Sequence, residues 1–187
     1  MSQNTILNEI YDRRASRALK SDKIPRETIN RLIKAATLAP SCFNKQPWRF
    51  IAADDPQTLG KVHEALTGAN YWAKKAPVMI AVLTDVSLGC SLSDRRDYAL
   101  FDTGFAVMNI MLQAEKEGLI AHPMAGFDPF KIKEIFKVCD SYIVITLIAL
   151  GGKGGSTDHL NEKHLSSETS PRDRKPIDEV LSYNRWI

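Results

Sequence analysis

The chain has 187 residues, 44% of them apolar and 25% charged, with a formal net charge of +3. That length supports one domain with its own hydrophobic core, and the small net charge with scattered basic residues argues against a nucleic-acid-binding surface. Cys42, Cys90 and Cys139 stand far apart with no Cys-x-x-Cys, which argues against a disulfide framework and for a reducing compartment. His63, His122, His159 and His164 form no His-x-x-x-His pair, so no zinc centre is expected. The N-terminal Met-Ser-Gln-Asn-Thr lacks a basic-then-apolar leader, and the longest apolar run, Tyr142–Leu150, is too short to span a membrane. The expectation is a cytoplasmic protein with no membrane or nucleic-acid partner.

In chain order, Ile6, Leu7, Ile10 and Tyr11 recur at helical spacing over residues 4–12. Pro25 opens a second helix whose apolar stripe is Ile29, Leu32, Ile33 and Ala36, and Pro40 ends it. The loop Ser41–Pro47 leads into a strand, Trp48–Ala53, and Pro56 starts a helix to about Thr67. Val78–Thr84 is a β-branched, apolar run of the kind found in buried strands. Residues 86–94, rich in Ser, Gly and Asp, read as a loop. A long helix from Arg95 to Glu117 carries apolar residues nearly all round, including Tyr98, Leu100, Phe101, Phe105 and Met108. Such a helix belongs in a core or at a subunit interface. Asp128-Pro129 caps a helix to about Val138, Tyr142–Leu150 is a further strand, and Gly151–Gly155 breaks it. Residues 156–170 read as polar and irregular, and a last short helix covers Ile177–Tyr183. Helices interleaved with about four strands give an α+β or α/β class rather than a repeated βα barrel.

Several cofactor signatures are absent. Gly151-Gly152-Lys153-Gly154-Gly155 has the wrong spacing for a dinucleotide fingerprint, and Lys153 is followed by Gly154 rather than by Ser or Thr, so the phosphate-loop pattern fails. No Gly-x-Ser-x-Gly elbow marks a hydrolase. What remains is a set of polar clusters. Arg13, Arg14 and Arg17 place three guanidiniums in five residues. They form either an anion-binding site, since Arg pairs bidentately with phosphate, or a solvated basic helix end. Pro40-Ser41-Cys42-Phe43-Asn44-Lys45-Gln46-Pro47-Trp48 is a polar loop fixed by prolines. It suits either a ring bearing carbonyl and imide groups or a plain helix–strand turn anchored by Trp48. Cys42 reads as a small half-buried apolar side chain rather than a redox group, and His122 as a structural histidine. The Arg172–Lys175 run is either a second basic arm or a solvated charge run.

Taken together, the Arg-rich run, the Pro-Ser-x-x-Asn-x-Gln-Pro-Trp element about 25 residues later, Gly118-Leu119 with Pro123–Phe127, and the C-terminal Arg-x-Arg-Lys-Pro resemble the FMN-dependent nitroreductase family. The resemblance runs from about residue 8 to the C-terminus, and the Pro-Ser element is its most specific part. It implies one nitroreductase-like α+β domain over residues 1–187, with a mixed, mainly antiparallel sheet flanked by helices. It also implies an intertwined homodimer with tightly bound FMN at the interface, the segment from about 156 to 187 extending along the partner. By position, Arg13, Arg14 and the backbone of Ala15 meet the phosphate or ribityl end, joined by Arg172 and Arg174. Arg17 lies near the flavin N1 and C2 carbonyl, where a fixed cation stabilises reduced flavin. Pro40, Ser41, Asn44 and Gln46 line the ring from the partner, Asn70 meets its pyrimidine edge, and Met124, Ala125 and Gly126 approach its face or edge. The family's commoner pattern is Arg-Arg-Ser-x-Arg. Here Ala15 takes the Ser position, leaving backbone N–H groups or Ser16 to replace the hydroxyl. The implied activity is hydride uptake from NAD(P)H and electron transfer to a small electron-poor acceptor, a nitroaromatic or quinone, by ping-pong kinetics, with no catalytic side chain beyond the flavin's surroundings. Dehalogenation, enone reduction or flavin degradation on the same scaffold, and a non-catalytic flavin-binding module, are the alternatives.

Overall fold

A computed structural model describes residues 6–94 and 96–186 of the chain. The first two residues of the expected N-terminal helix, 4 and 5, and Arg95, where the long helix was expected to begin, lie outside the described residues. The helices are α1 (Asn8–Asp12), α2 (Arg26–Thr37), α3 (Pro56–Glu64), α4 (Tyr98–Lys116), α5 (Pro129–Phe136) and α6 (Glu162–Thr169). The strands are β1 (Trp48–Ala53), β2 (Val78–Thr84), β3 (Leu119–Met124) and β4 (Ile143–Gly152). They form one sheet in the order β1-β2-β4-β3, and every pairing is antiparallel. The α+β expectation therefore holds. Among the described helices none is long and apolar enough to cross a membrane.

The period-two alternation of a strand explains the layering. All seven residues of β2 are buried. Val78, Ile80 and Val82 face a cluster with Ile29, Leu32 and Ala36 of α2 and Ala106, Ile110 and Ala114 of α4. Met79, Ala81 and Leu83 face the other way, onto Val62 of α3, Trp72 and Ile132 of α5. Both faces of the sheet are thus covered, which is why β2 reads as a continuous apolar run instead of an alternating one. Each large side chain buried this way contributes about 1.5–3 kcal/mol. Asp55 and Asp128 cap α3 and α5 by accepting from Thr58 N–H and from the N–H groups of Phe130 and Lys131.

Three expectations need correction. Residues 156–170 are not wholly irregular, because α6 spans Glu162–Thr169, started by Asn161, whose side chain accepts from the His164 N–H at 2.9 Å. The expected Ile177–Tyr183 helix is only a 3-10 turn over Ile177–Glu179. Most residues of that segment are exposed, so no packing pays for further helix hydrogen bonds. The Gly-rich run does not break the last strand at Gly151: β4 continues to Gly152, held by backbone bonds between Lys20 and Gly152. The apolar stripe Ile6, Leu7, Ile10 and Tyr11 stays on the surface of the single chain, as do Leu100, Phe101, Phe105 and Met108 of α4. Only one face of α4 enters the core.

The segment after α1 is positioned by a close backbone approach. Gly155 N–H donates to the Ala18 carbonyl at 2.9 Å. A Cβ at Gly155 would lie 2.3 Å from the Leu19 carbonyl oxygen, so only glycine fits there. This fastens residues 18–20 alongside the end of β4 and aims the preceding arginines at the start of the C-terminal segment.

Candidate functional site

The structure brings the two arginine-rich segments together. Arg13, Arg14, Ala15 and Arg17 line a cleft of about 350 Å³ with Ser167, Ser170, Pro171, Arg172, Asp173 and Arg174. Arg14 Nη2 donates to the carbonyls of Ser170 at 2.7 Å and Ser167 at 3.3 Å. Arg172 Nη2 donates to the Arg13 carbonyl at 2.7 Å, and its Nη1 reaches the Ile10 carbonyl at 3.4 Å. These bonds clasp the N-terminal run to the chain that follows α6. Among the described residues no ion pair involves any of the five arginines. Burial lowers the Arg13 guanidinium from its ordinary value, and the charges of Arg172 and Arg174 lower it further against an opposing pull from Glu115. Converging cations with no ion-paired carboxylate among the described residues call for an anion.

Arg17 sits deeper. Its guanidinium lies over the Trp72 ring, 5.7 Å from the centroid, and its Nε is buried without a hydrogen-bond partner. Trp72 also packs against His122, with ring centroids 4.4 Å apart. His122 Nδ1 is 3.0 Å from the Ser16 carbonyl. A carbonyl only accepts, so Nδ1 carries the proton. Burial is the main reason the His122 imidazole is pushed down to about 4, helped by Arg17 and Arg13 and opposed by the Ser16 carbonyl and Glu168. The ring is therefore neutral at pH 7. Glu168 of α6 accepts from the Arg17 N–H at 2.8 Å and from the Ser16 hydroxyl. Ser16 is thus engaged within the chain.

A second group adjoins this one through the 3-10 segment Gly68–Lys75, which carries both Asn70 and Trp72. Asn70 Nδ2 donates to the Gly126 carbonyl at 2.8 Å, and the Thr67 hydroxyl and N–H each reach the same oxygen at 3.0 Å. A Cβ at Gly126 would lie 2.6 Å from Thr67 Oγ1 and 2.7 Å from Asn70 Nδ2. Met124 is buried at the end of β3, and Ala125 is exposed beside it.

The Pro40–Gln46 loop is elsewhere. It precedes β1, one edge of the sheet, whereas Met124–Gly126 lie at the end of β3, the opposite edge, with β2 and β4 between. The loop is internally fixed. Ser41 Oγ accepts from the Gln46 N–H at 3.0 Å, and Gln46 Nε2 donates to Asn44 Oδ1 at 3.1 Å. Phe43, Asn44 and Gln46 have φ of 49°, 54° and 50°, a left-handed run costing about 1–2 kcal/mol at each non-glycine residue. Strain of this sort marks loops held for a purpose. The Cys42 N–H donates to Asp102, a buried carboxylate on α4, at 3.0 Å. Phe43 is 89% exposed.

One sequence expectation is overturned here. Cys42 is not an isolated apolar side chain, because it forms a disulfide with Cys90 across 48 sequence positions. Widely separated cysteines can meet only through tertiary structure, and their spacing carried no sign of it. Sequence reasoning also passed over Glu168 and Trp72. Glu168 lies in a polar stretch with no distinguishing pattern. The only signal for Trp72 was a large aromatic among Asn, Tyr and Lys.

The Nitroreductase family model matches residues 10–70 and 54–152. A protein of Archaeoglobus fulgidus, provisionally named NADH dehydrogenase/NAD(P)H nitroreductase, is 32% identical over 78% of this chain and 83% of its own. An NADH dehydrogenase of Thermus thermophilus is 26% identical over 90% of this chain and 91% of its own. A solved structure described as an oxidoreductase containing FMN superposes with a TM-score of 0.84 at 27% identity, covering 100% of this chain and 96% of that one. The family model spans well over half of the chain, and the chain belongs to the nitroreductase family.

Proposed function

We propose that this chain is an FMN-dependent oxidoreductase that works as a homodimer, taking electrons from NAD(P)H and delivering them to an electron-poor acceptor such as a nitroaromatic or a quinone. The observation that supports this most is the cleft of five arginines with no ion-paired carboxylate. The residues fit an anionic cofactor in one further respect. Arg17 Nε is buried without a partner.

In this reading Arg13, Arg14, Arg172, Arg174 and the Ala15 backbone hold the phosphate end. Arg17, fixed over Trp72, presents a charge that offsets the negative charge of a reduced flavin. Asn70, Met124, Ala125 and Gly126 border the ring. Neutral His122 holds the Ser16 carbonyl and keeps the run after Arg14 in place without adding a competing positive charge. Pro40, Ser41, Asn44 and Gln46 come from a second copy, since one chain holds them on the far edge of its sheet. The uncovered apolar residues of α1 and α4 are the surface that copy would cover. The segment from about 156 to 187, with Ile177, Val180, Tyr183 and Trp186 exposed, would extend along it. Bound FMN supplies the redox chemistry, accepting hydride from NAD(P)H and passing electrons on to the acceptor. Donor and acceptor use one face in turn, which makes the kinetics ping-pong. The setting in this reading is cytoplasmic, where NAD(P)H is held.

The test is the spectrum of the purified protein with and without added FMN, followed by anaerobic addition of NADH or NADPH and then of an acceptor panel. The expected result is one FMN per chain, bleached by the nucleotide and restored by a nitroaromatic or quinone, with parallel double-reciprocal lines. A protein that neither holds nor takes up FMN overturns the proposal.

A further inference from the structure

The peptide group joining Ser16 to Arg17 is held at both of its polar ends by side chains from two different elements. Its carbonyl accepts from His122 Nδ1 of β3 at 3.0 Å, and its N–H donates to Glu168 of α6 at 2.8 Å. The other Glu168 oxygen accepts from the Ser16 hydroxyl, and Ser16 Oγ accepts from the Ala18 N–H at 3.3 Å. A planar peptide fixed at both ends sets the direction in which the Arg17 side chain leaves the backbone. That direction carries the guanidinium over Trp72, 5.7 Å from the ring centroid. Arg17 Nε has no hydrogen-bond partner, so the backbone and the Trp72 face set where the charge stands. The helix that supplies Glu168 has no buried residue. Two attachments hold it independently of that carboxylate. The Asn161 N–H donates to the Tyr71 hydroxyl at 2.7 Å, with the His164 ring stacked on Tyr71. Arg14 donates to the Ser167 and Ser170 carbonyls. Removing the Glu168 carboxylate therefore leaves α6 docked and loosens the Ser16–Arg17 peptide.

We infer that Glu168 is a positioning residue for Arg17, clamping the Ser16–Arg17 peptide against His122 so that the Arg17 cation stays over Trp72. In the flavin reading above, that cation offsets the charge of the reduced ring. The functional part of this inference rests on that reading; the clamp itself does not. Glu168 acts by accepting two hydrogen bonds at once, and its own charge is not what matters. A loosened Arg17 loses the preorganisation on which electrostatic stabilisation depends. The phosphate end, assigned to Arg13, Arg14, Arg172 and Arg174, is untouched.

The test compares Glu168→Ala with Glu168→Gln in the full chain with FMN. Gln keeps an oxygen for the Arg17 N–H and turns an amide donor toward Ser16 Oγ, without the charge. The Nε–Hε resonance of Arg17, assigned by its loss in Arg17→Met, reports the Trp72 ring. It should move to the position of exposed arginines in Glu168→Ala and stay in Glu168→Gln. Hydrogen exchange over residues 13–20 should rise about tenfold in the Ala variant while β2 and β4 stay protected. Anaerobic reduction of bound FMN by NADH or NADPH should slow about tenfold in Glu168→Ala, with Glu168→Gln restoring most of the rate. The FMN Kd should change less than about threefold in either variant. In an Arg17→Met background, adding Glu168→Ala should change the rate by less than about twofold. If Glu168→Ala does not fold, Glu168→Asp, whose shorter reach gives up one of the two bonds, makes the same comparison. An unmoved Arg17 resonance in Glu168→Ala overturns the clamp. Equal slowing in the Ala and Gln variants, or slowing that persists without Arg17, overturns positioning through Arg17. The resonance and the exchange decide the clamp whether or not FMN is bound, so a protein that takes no FMN overturns the flavin reading alone.

Discussion

Acidification should destabilise this protein through His122, and the size of the effect follows from its surroundings. The side chain is buried against Trp72 with its Nδ1 proton given to the Ser16 carbonyl. In the unfolded chain the imidazole titrates near 6.5, whereas in the fold it stays neutral until about 4. Between those values protons bind the unfolded chain first and pull the equilibrium toward it. The contribution is full above pH 6.5 and is lost as the pH falls toward 4. At about 1.4 kcal/mol for each pH unit, the whole window is worth about 3 kcal/mol, of which about 2.5 kcal/mol is gone by pH 4.5. His63 and His164 are also lowered, first by burial and then by Lys74 and by Arg17 and Lys163 respectively. The assay must therefore isolate His122. Urea unfolding at pH 7 and pH 4.5, at one saturating FMN concentration, should show wild type losing about 2.5 kcal/mol more than His122→Gln. Equal losses in the two proteins, or a His122 imidazole resonance titrating near 6.5 in the folded protein, would refute the reasoning.

Arg13→Ala should weaken FMN binding by one to two orders of magnitude, since one charge-assisted contact is worth about 1.5–3 kcal/mol; a flavin-fluorescence titration measures this. Gly126→Ala should lower stability by about 1–3 kcal/mol, because the new Cβ displaces Thr67 and Asn70, and a thermal melt reads it. Phe101→Glu, on the uncovered face of α4, should convert dimer to monomer in light scattering with the circular dichroism unchanged. Reducing the disulfide should cost about 4 kcal/mol by the loop-closure model for a sequence separation of 48, seen as a shift in denaturant midpoint on adding dithiothreitol.

The parts of the fold legible in the sequence are those decided locally. β1 and β2 were read with correct limits because prolines and acidic turn residues bracket apolar runs. The caps at Asp55 and Asp128 announce α3 and α5. β3 is visible in the sequence only as part of the Gly118–Phe127 motif, because Pro123 interrupts the pattern of a paired strand. The structure resolves this by making β3 an edge, paired only with β4, where a missing N–H costs nothing. α6 has no apolar stripe. It is ordered by distant partners, with the Asn161 N–H bonded to the Tyr71 hydroxyl at 2.7 Å and Glu168 reaching back to Arg17. No local pattern encodes such contacts. At the site, the arginines were visible as residue types, but their convergence over more than 150 positions was implied only by family resemblance. The Cys42–Cys90 pairing had no signal of either kind.

β1 and β3 lie on opposite flanks of the sheet, and this has a thermodynamic consequence for the proposed dimer. If each flavin takes one wall from each chain, cofactor uptake and chain pairing are a single linked equilibrium. Whatever factor FMN adds to the pairing constant, pairing must add to FMN affinity. Dilution alone then strips FMN from the protein, and a substitution in the apolar face of α4 shows itself as lost cofactor without touching one residue that meets the flavin.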